Sequence, residues 1–592
     1  MSVLETPRLI FRGQITWDPI TTNNYIQQYD EGDARTNFWT GAETVATFRK
    51  KAIDAVLTDG SWNPHGTHRA TYYDTSVIGV DTGKGLSADD PIVTCPVSFM
   101  GMLVDLEPYG STSSQLFFDQ MSFGIQGGCR VYAPRTTRMI ARYINFFRNE
   151  KYLVIAGRAS VVWQTSFPKA SALRIDPHDS PALQQLAKAL QDDDVLGLTV
   201  RWNAYRTLYY DDPGNMAALA QQLHDKLVGG GFQPNPARSE LVGVLGLWRK
   251  GEPPAEPGDR ALLAQLQPPT VASAHVRLTA DQLTLDLANS IPEIDVNLKK
   301  HDFGNLTAVA VAPDGNTVIA TLGTFGYDAY RKEAYEASAG IVTLKVDPAA
   351  AQKAQTADIQ LRQQDGTVLL AETALRAVPM TPNVYLDQGD TVTLPVQVLD
   401  RGRPAAAGVE VTMVNPNTSA DTSTTSTTDA QGIATFPLVG ETGIIEQYVL
   451  LPGQGAPAPQ PAPGLDTQQT TYVNVRTLPS DSNLADPTQT PPTWDNVQAN
   501  VLKNWQAMAP CMDNWLDLGN PDQVKSFAPM LHKLTAKENF EAFRYMPVVR
   551  DMTAGQRALL YAFLDGQKPL AMAVKTPPRP SLRRLSRAMR GT

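Results

Sequence analysis

Cysteine is scarce. Cys95, Cys129 and Cys511 lie far apart and form no Cys-x-x-Cys pair. An odd, sparse set fits a reducing compartment better than a disulfide framework. Long hydrophobic runs are missing too. Nothing approaches the about 18 apolar residues that a membrane helix needs, so no membrane span is expected. The opening MSVLETPRLIFRGQI has no basic segment followed by a long apolar run. It does not read as a signal peptide, and a cytoplasmic location follows as the expectation. Strong charge is also lacking. A formal net charge of −9 supports solubility and argues against nucleic acid as the main partner. No Gly-x-Ser-x-Gly elbow and no Cys-His nucleophile context occur. GIQGG at 124–128 lacks the Lys-Ser/Thr ending of a phosphate loop.

What is present is a long chain with an ordinary supply of core-forming residues. At 592 residues and 42% hydrophobic content it should hold several domains. The stretch from Leu186 to Glu252 organises it. Leu183, Leu186, Ala187 and Leu190 share one face of a short helix. Asp192 to Asp194 follow, and then two apolar runs, VLGLTVRW and VGVLGLW. Runs of this kind without strict alternation suit strands buried on both faces. We expect them at the centre of a large β domain.

The rest reads as mainly β and multidomain. Residues 4–17 predict an opening strand with a bulge at Gly13. Residues 18–92 read as loop-rich, with turn clusters such as DEGD, TDGSWNPHG and DTGKGLSADDP, and within them residues 41–57 fit one helix. VSFMGMLVDL and QLFFDQMSFGI predict a hairpin with a long loop. Residues 134–149 place Met139, Ile140, Tyr143, Ile144 and Phe147 at helical spacing, which predicts a helix. Residues 152–165 return to strand. Another helix is expected within the 212–238 insertion. From 274 to 378 three two-strand units surround polar turns, including Asp314-Gly315 and Asp365-Gly366. The expected units are a β-rich N-terminal domain with short helices (1–272), a second β unit (273–380) and an immunoglobulin-like β-sandwich (381–477). A linker (478–493), a helical region (494–570) and a basic tail (571–592) complete the chain. In the sandwich, Asp400, Gly402, Pro404, Gly408, Asp429, Gly432 and Phe436 resemble bacterial Ig-like modules. In the helical region Val497, Val501, Trp505, Met508, Met512 and Trp515 form an apolar stripe. Thr553 and Gln556 form a capping box.

Five segments carry a further resemblance: TPRLIFRGQI, ALQDDDVLGLTV, LVGVLGLWRKGE, LTLDLANSIP and YMPVVRDMTAGQRALLYAFL. In order and spacing they resemble the N-terminal region of the violacein-pathway iminophenyl-pyruvate dimer synthase family. That resemblance implies a scaffold. In the family, oxidative chemistry is credited to a metal-bearing ferritin-like helical region beyond the matched part. A ferritin-like site needs Glu-x-x-His pairs on facing helices, and this sequence contains none. No cofactor is therefore expected.

Candidate sites remain, each beside a plainer alternative. His65 and His68 form an H-x2-H pair with Asp74 near in sequence, a possible transition-metal set. The same residues also read as polar loop. Asp105, Glu107 and Tyr109, with the hydroxyls of Ser111, Thr112 and Ser113, form the most pocket-like loop. Paired carboxylates with an aromatic suit acid/base or sugar chemistry. A polar turn with a tyrosine lid is the alternative. Asp192–Asp194 read as a cation site or as a helix end, and Cys129 as a reactive thiol or a buried one. The tail, with Lys575, Arg579, Arg583, Arg584, Arg587 and Arg590, is suited to an acidic partner. The functional expectation is a non-catalytic scaffold or binding component, acting with a protein partner or as a homo-oligomer. An enzyme of amino-acid-derived secondary metabolism, using imine or oxidative condensation chemistry, is the alternative.

Overall fold

The structure, a computed structural model, describes residues 3–17, 44–59, 63, 65–106, 113–145, 148, 160–209, 215–230, 237–265, 271–295, 297–416, 423–441, 445–453, 467, 471–509, 512 and 515–566. It is mainly β, with several sheets and a few short helices.

The first sheet has eleven strands: β1 (Arg8–Thr16), β2 (Arg69–Asp81), β3 (Leu86–Ser87), β4 (Val97–Asp105), β5 (Ser114–Gly124), β6 (Arg130–Pro134), β7 (Met139–Asn145), β8 (Ser160–Pro168), β9 (Arg174–Asp176), β10 (Val195–Tyr209) and β11 (Ala237–Arg249). Its pairings run β2-β1-β11-β10-β8-β7-β5-β4 and then back to β2, so those strands close into an antiparallel barrel. The predicted central strands β10 and β11 pair with each other along most of their length. Gly13 sits at a register shift between Arg12 and Gln14, as the sequence predicts. Gly243 is required by packing. A Cβ there would collide with the Phe11 ring and the Trp202 side chain.

A barrel of about eight strands is just wide enough for its side chains to fill, and aromatic rings fill this one. Trp163 and Trp202 stack at 5.6 Å between centroids, with Trp17 against both. Tyr72, Phe99 and Phe118 continue the packing. The helix Pro181–Ala189 adds Ala182, Leu183 and Leu186 to the same core. Its cap is Ser180, whose hydroxyl accepts from the Leu183 amide. The barrel interior is thus a packed core.

Two expectations fail. The loop-rich reading of residues 18–92 misses β2, a 13-residue strand that pairs with both β1 and β4. Residues 134–149 do not form a helix: Met139–Asn145 is strand β7, between β5 and β8. Every residue of β7 is buried. A strand covered on both faces shows no polar alternation, and its apolar run mimics a helical stripe. Tyr143, at φ 49°, and a register shift between Arg142 and Asn145 break the period further. Phe147 lies outside the described residues.

The second sheet has eight strands between Arg260 and Thr373 and its own core around Leu262, Val276, Leu285, Leu306 and Ile359. All three predicted hairpins are present. The strand Arg260–Ala264 joins it as well. Next come a four-stranded and a five-stranded sheet, which share the core of Leu394, Val396, Val411, Phe436 and Val473. Helices between Ser482 and Asp565 enclose a separate cluster that includes Val497, Val501, Leu559 and Phe563, with Trp505 and Trp515 packed on it. The capping box of Thr553 and Gln556 opens the last helix. This region docks on the barrel through Phe543, which packs with Met102, Val104 and Phe117.

Candidate functional site

The outer face of the barrel carries the polar chemistry. In β10, Leu198, Val200, Trp202 and Ala204 point into the barrel. Strand alternation therefore sends Thr199, Arg201, Asn203 and Tyr205 outward. All four are nevertheless buried. Arg201 donates from Nη2 to Asp259 Oδ2 at 2.8 Å, from Nη1 to Asp286 Oδ2 at 3.1 Å and from Nε to Gln164 Oε1 at 2.9 Å. Arg142 donates to Glu256 Oε2 at 2.7 Å, and the Tyr143 hydroxyl donates to Oε1 of the same carboxylate at 2.8 Å. Arg376 donates to that hydroxyl at 2.6 Å, which ties in the four-stranded sheet. At the far end Arg148 grips both oxygens of Glu293, at 2.8 and 2.9 Å. Lys300 pairs with the same carboxylate and lies 3.3 Å over the Tyr335 ring.

Two members of this seam lack the partners the others have. Neither carboxyl oxygen of Glu252 has a donor, and Nε2 of His275 has no partner. Burial, with Asp259 beside it, pushes the Glu252 carboxyl well above the usual carboxylate range. Burial, with Arg201 and Arg376 nearby, pushes His275 well below the usual imidazole range. Both shifts favour the uncharged form. Such perturbed groups often mark functional sites. Here they are 4% and 3% exposed, so a ligand in solvent cannot reach them.

An open cleft lies on the same seam, nearer the chain start. Its volume is about 270 Å³, and its walls include Arg8, Ile10, Asp81 and Leu86 from the barrel and Gln282, Ile341 and Thr343 from the second sheet. Arg8 Nη2 donates to Asp81 Oδ2 at 2.8 Å and to Thr343 Oγ1 at 3.2 Å.

The candidates from sequence are scattered. Asp105 ends β4, is buried and accepts from the Ser114 hydroxyl. Glu107, Tyr109, Ser111 and Thr112 lie outside the described residues. Ser113 is buried, and its carbonyl accepts from Asn383. Close by, Gln115 bridges Arg138 and the Tyr385 hydroxyl. Arg550 stacks 3.6 Å over Phe117, and burial lowers its pKa to about 9. The loop thus springs from a junction of barrel, sandwich sheets and helical region. His65 lies in a turn, where its amide donates to Asn63. His68 engages the Leu103 carbonyl through Nδ1 at 3.0 Å. Burial lowers its pKa to about 4. Asp74 is six residues further along β2, roughly 20 Å at about 3.3 Å per strand residue, too far to share an ion with His68. Among the described residues no three His, Cys, Asp or Glu side chains gather as metal ligands. Asp194 pairs with Arg249 at 2.5 Å. Cys129 is buried and donates to the Pro177 carbonyl. Cys511 and the tail from 571 lie outside the described residues.

Sequence reasoning missed Arg8, Asp81, Arg142, Arg201 and Glu293. The one local signal is GEPPAEPGD, which packs Glu252, Glu256 and Asp259 between prolines just after a buried strand.

No family model matches the chain. A relative from Chromobacterium violaceum, 2-imino-3-(indol-3-yl)propanoate dimerase, is 35% identical over 117 residues. That stretch is 20% of this chain and 9% of the relative, so the chain matches far less than two thirds of the relative's length. Among solved structures, Salmonella α2-macroglobulin reacted with methylamine aligns over 69% of this chain and 24% of its own, at 11% identity and a TM-score of 0.13. Domains 1–6 of the surface layer protein SbsC align over 74% of this chain and 62% of their own, at 9% identity and a TM-score of 0.13. At such scores neither likeness bears on the fold.

Proposed function

We propose that this chain is a non-catalytic scaffold or binding component of amino-acid-derived secondary metabolism, acting with a separate protein partner or in a self-assembly. One observation carries the reading. The charged residues that a catalytic site would present to substrate are engaged with one another along a buried seam. Arg201–Asp286 ties the barrel to the second sheet, while Arg142–Glu256, Arg148–Glu293 and Arg201–Asp259 tie it to the segments that flank that sheet's strands. Buried pairs are weak sources of stability but costly to break, so they favour one fixed arrangement. The stretch shared with the imine dimerase supports the placement in that area of chemistry. The two sheets around Leu394 and Phe436 support an Ig-like spacer. The basic tail is offered to an acidic partner, the location is cytoplasmic, and the unit boundaries at 272, 380, 477, 493 and 570 belong to the same proposal. Pull-down from the native organism, with mass determination of the complex, tests it. A stoichiometric partner enzyme or a defined homo-oligomer is expected. A lone monomer would overturn the reading.

The second reading is an enzyme built on the 105–119 loop and His65/His68. Asp105, buried and held by Ser114, next to Leu106 whose carbonyl accepts from the buried Arg476, favours it. Metal analysis of the purified protein decides the metal form of this reading. Bound transition metal that is lost in the His65→Ala/His68→Ala variant supports it, and metal-free protein removes it.

A further inference from the structure

The cleft between the barrel and the second sheet holds two charged wall residues, and they are closed on each other. Arg8 and Asp81 bond at 2.8 Å and are 4% and 6% exposed. No other described wall residue is charged. A charged ligand would give up water there and meet no free counter-charge, which is costly. The cleft therefore selects against amino acids, phosphates and polyamines.

The groups within reach of solvent are neutral. Leu283, Leu285 and Val342 face the core of the second sheet, so strand alternation turns Gln282, Thr284 and Thr343 toward the barrel. Gln282 pairs in register with Lys345, and Thr284 with Thr343. Gln282 and Thr343 are thus diagonal neighbours on one face. Gln282 is half-buried, and its side-chain amide has no partner among the described residues. The exposed Thr343 accepts from Arg8 at 3.2 Å. Across the cleft the half-buried Thr6 hydroxyl is likewise without a partner among the described residues. Ile10 and Ile341 are buried apolar walls, and Leu86 stands 47% exposed at the rim. Gly83 and Gly85 both hold φ +97° beside it, a conformation that glycine adopts without strain.

These walls define a class of occupant. The volume of about 270 Å³ falls just below the ~300 Å³ at which pockets for drug-sized ligands begin, so the occupant is small. A primary amide offers two N–H donors and a carbonyl acceptor. Its match is a donor and an acceptor on adjacent atoms, the geometry by which glutamine reads adenine. A hydrocarbon would leave the Gln282 amide unpaired. A sugar would leave most of its own hydroxyls unpaired against three polar side chains. Each loses the desolvation of those groups without return.

We infer that this cleft binds a small neutral molecule that joins a carboxamide or lactam edge to an apolar body, the edge on Gln282 beside Thr343 and the body against Ile10, Ile341 and Leu86. This goes beyond the scaffold reading and does not depend on a partner.

Titration of the full chain, followed by ligand-observed NMR, tests it. The probes are benzamide, N,N-dimethylbenzamide, which has no N–H, and benzoate, which carries a charge. Benzamide should bind saturably at millimolar concentration. The other two should bind at least about fivefold more weakly, the scale of one net hydrogen bond. Gln282→Leu keeps the wall and removes the amide, so benzamide and its dimethyl analogue should then bind alike. Leu86→Trp, from the opposite wall, should block benzamide and leave the melting temperature in place, and it serves if Gln282→Leu does not fold. Four results would each overturn the inference: no saturable binding of benzamide up to about 10 mM, equal affinity for either analogue, unchanged selectivity in folded Gln282→Leu, or unchanged binding in folded Leu86→Trp. The titration uses the chain alone, so its failure leaves the partner question to the pull-down.

Discussion

Two glutamates on one seam, Glu252 and Glu293, differ in almost nothing but their neighbours. Both are buried, at 4% and 0% exposure. Burial works to raise the pKa of each. At Glu293 the guanidinium of Arg148 and the ammonium of Lys300 overcome it, and the carboxyl is held below its ordinary value. At Glu252 no side chain donates, and the carboxyl is pushed well above the ordinary range. Depth alone therefore does not set the charge of a side chain. The charged partners that neighbouring segments bring do.

The comparison can be broken most severely at its paired end. Glu293→Gln keeps the shape but leaves Arg148 and Lys300 buried without a counter-charge. Removing one member of a buried pair costs about 3–5 kcal/mol. A large fall in melting temperature is expected, with faster amide exchange along the seam. A melting curve like wild type would show that the triad contributes little.

Lys300 gives the next effect. Burial, with Arg148 beside it, lowers its pKa from 10.5 to about 7. Between those values the unfolded chain holds a proton that the folded chain has released. Stability therefore rises with pH across that window, by up to about 1.4 kcal/mol per unit. Denaturant titrations from pH 7 to pH 10 should show this slope, and Lys300→Met should remove it. A slope of the opposite sign would mean that Glu293 keeps Lys300 protonated.

Glu252→Gln sharpens the other end. A carboxyl whose folded pKa is raised makes the folded state bind more protons above pH 4.5. Its contribution is full at low pH and is lost as pH rises. The variant cannot ionise, so its stability relative to wild type should improve as pH climbs from 4.5. Below that pH the two should agree within about 1 kcal/mol. Parallel melting curves at all pH values would refute the assignment. The smallest effect belongs to the tail. KTPPRPSLRRLSRAMRGT has little to bury, so deleting 571–592 should leave the melting temperature unchanged, while an interaction with an acidic partner is lost.

Much of the fold was legible where a local rule carries it. β10 and β11 were readable as doubly buried strands because their runs lack alternation. The second-sheet hairpins were readable because Gly315 and Gly366 hold positive φ in short polar turns. The last helix announced itself through Thr553 and Gln556. β7 defeated the same reasoning, because burial on both faces erases the period that separates strand from helix. The candidate site was far less legible. Asp105 was singled out from its loop, yet the loop's best residues, Glu107 and Tyr109, lie outside the described residues. His68 and Asp74, close in sequence, are carried apart along β2.

The sequence by itself determined the mainly β class, the central strands β10 and β11, the hairpins of the second sheet, and the helical end of the chain. These follow from hydrophobic period, turn chemistry and capping, all of which act within a few residues. Only the tertiary structure decided that the first strands close into a barrel, through the pairing of β4 with β2. It alone decided that Arg201 meets Asp259 and Asp286, and that Arg148 meets Glu293, 145 residues away. The reason is electrostatic. A charge can be buried only where another chain segment delivers its opposite, and no local pattern records which segment that will be.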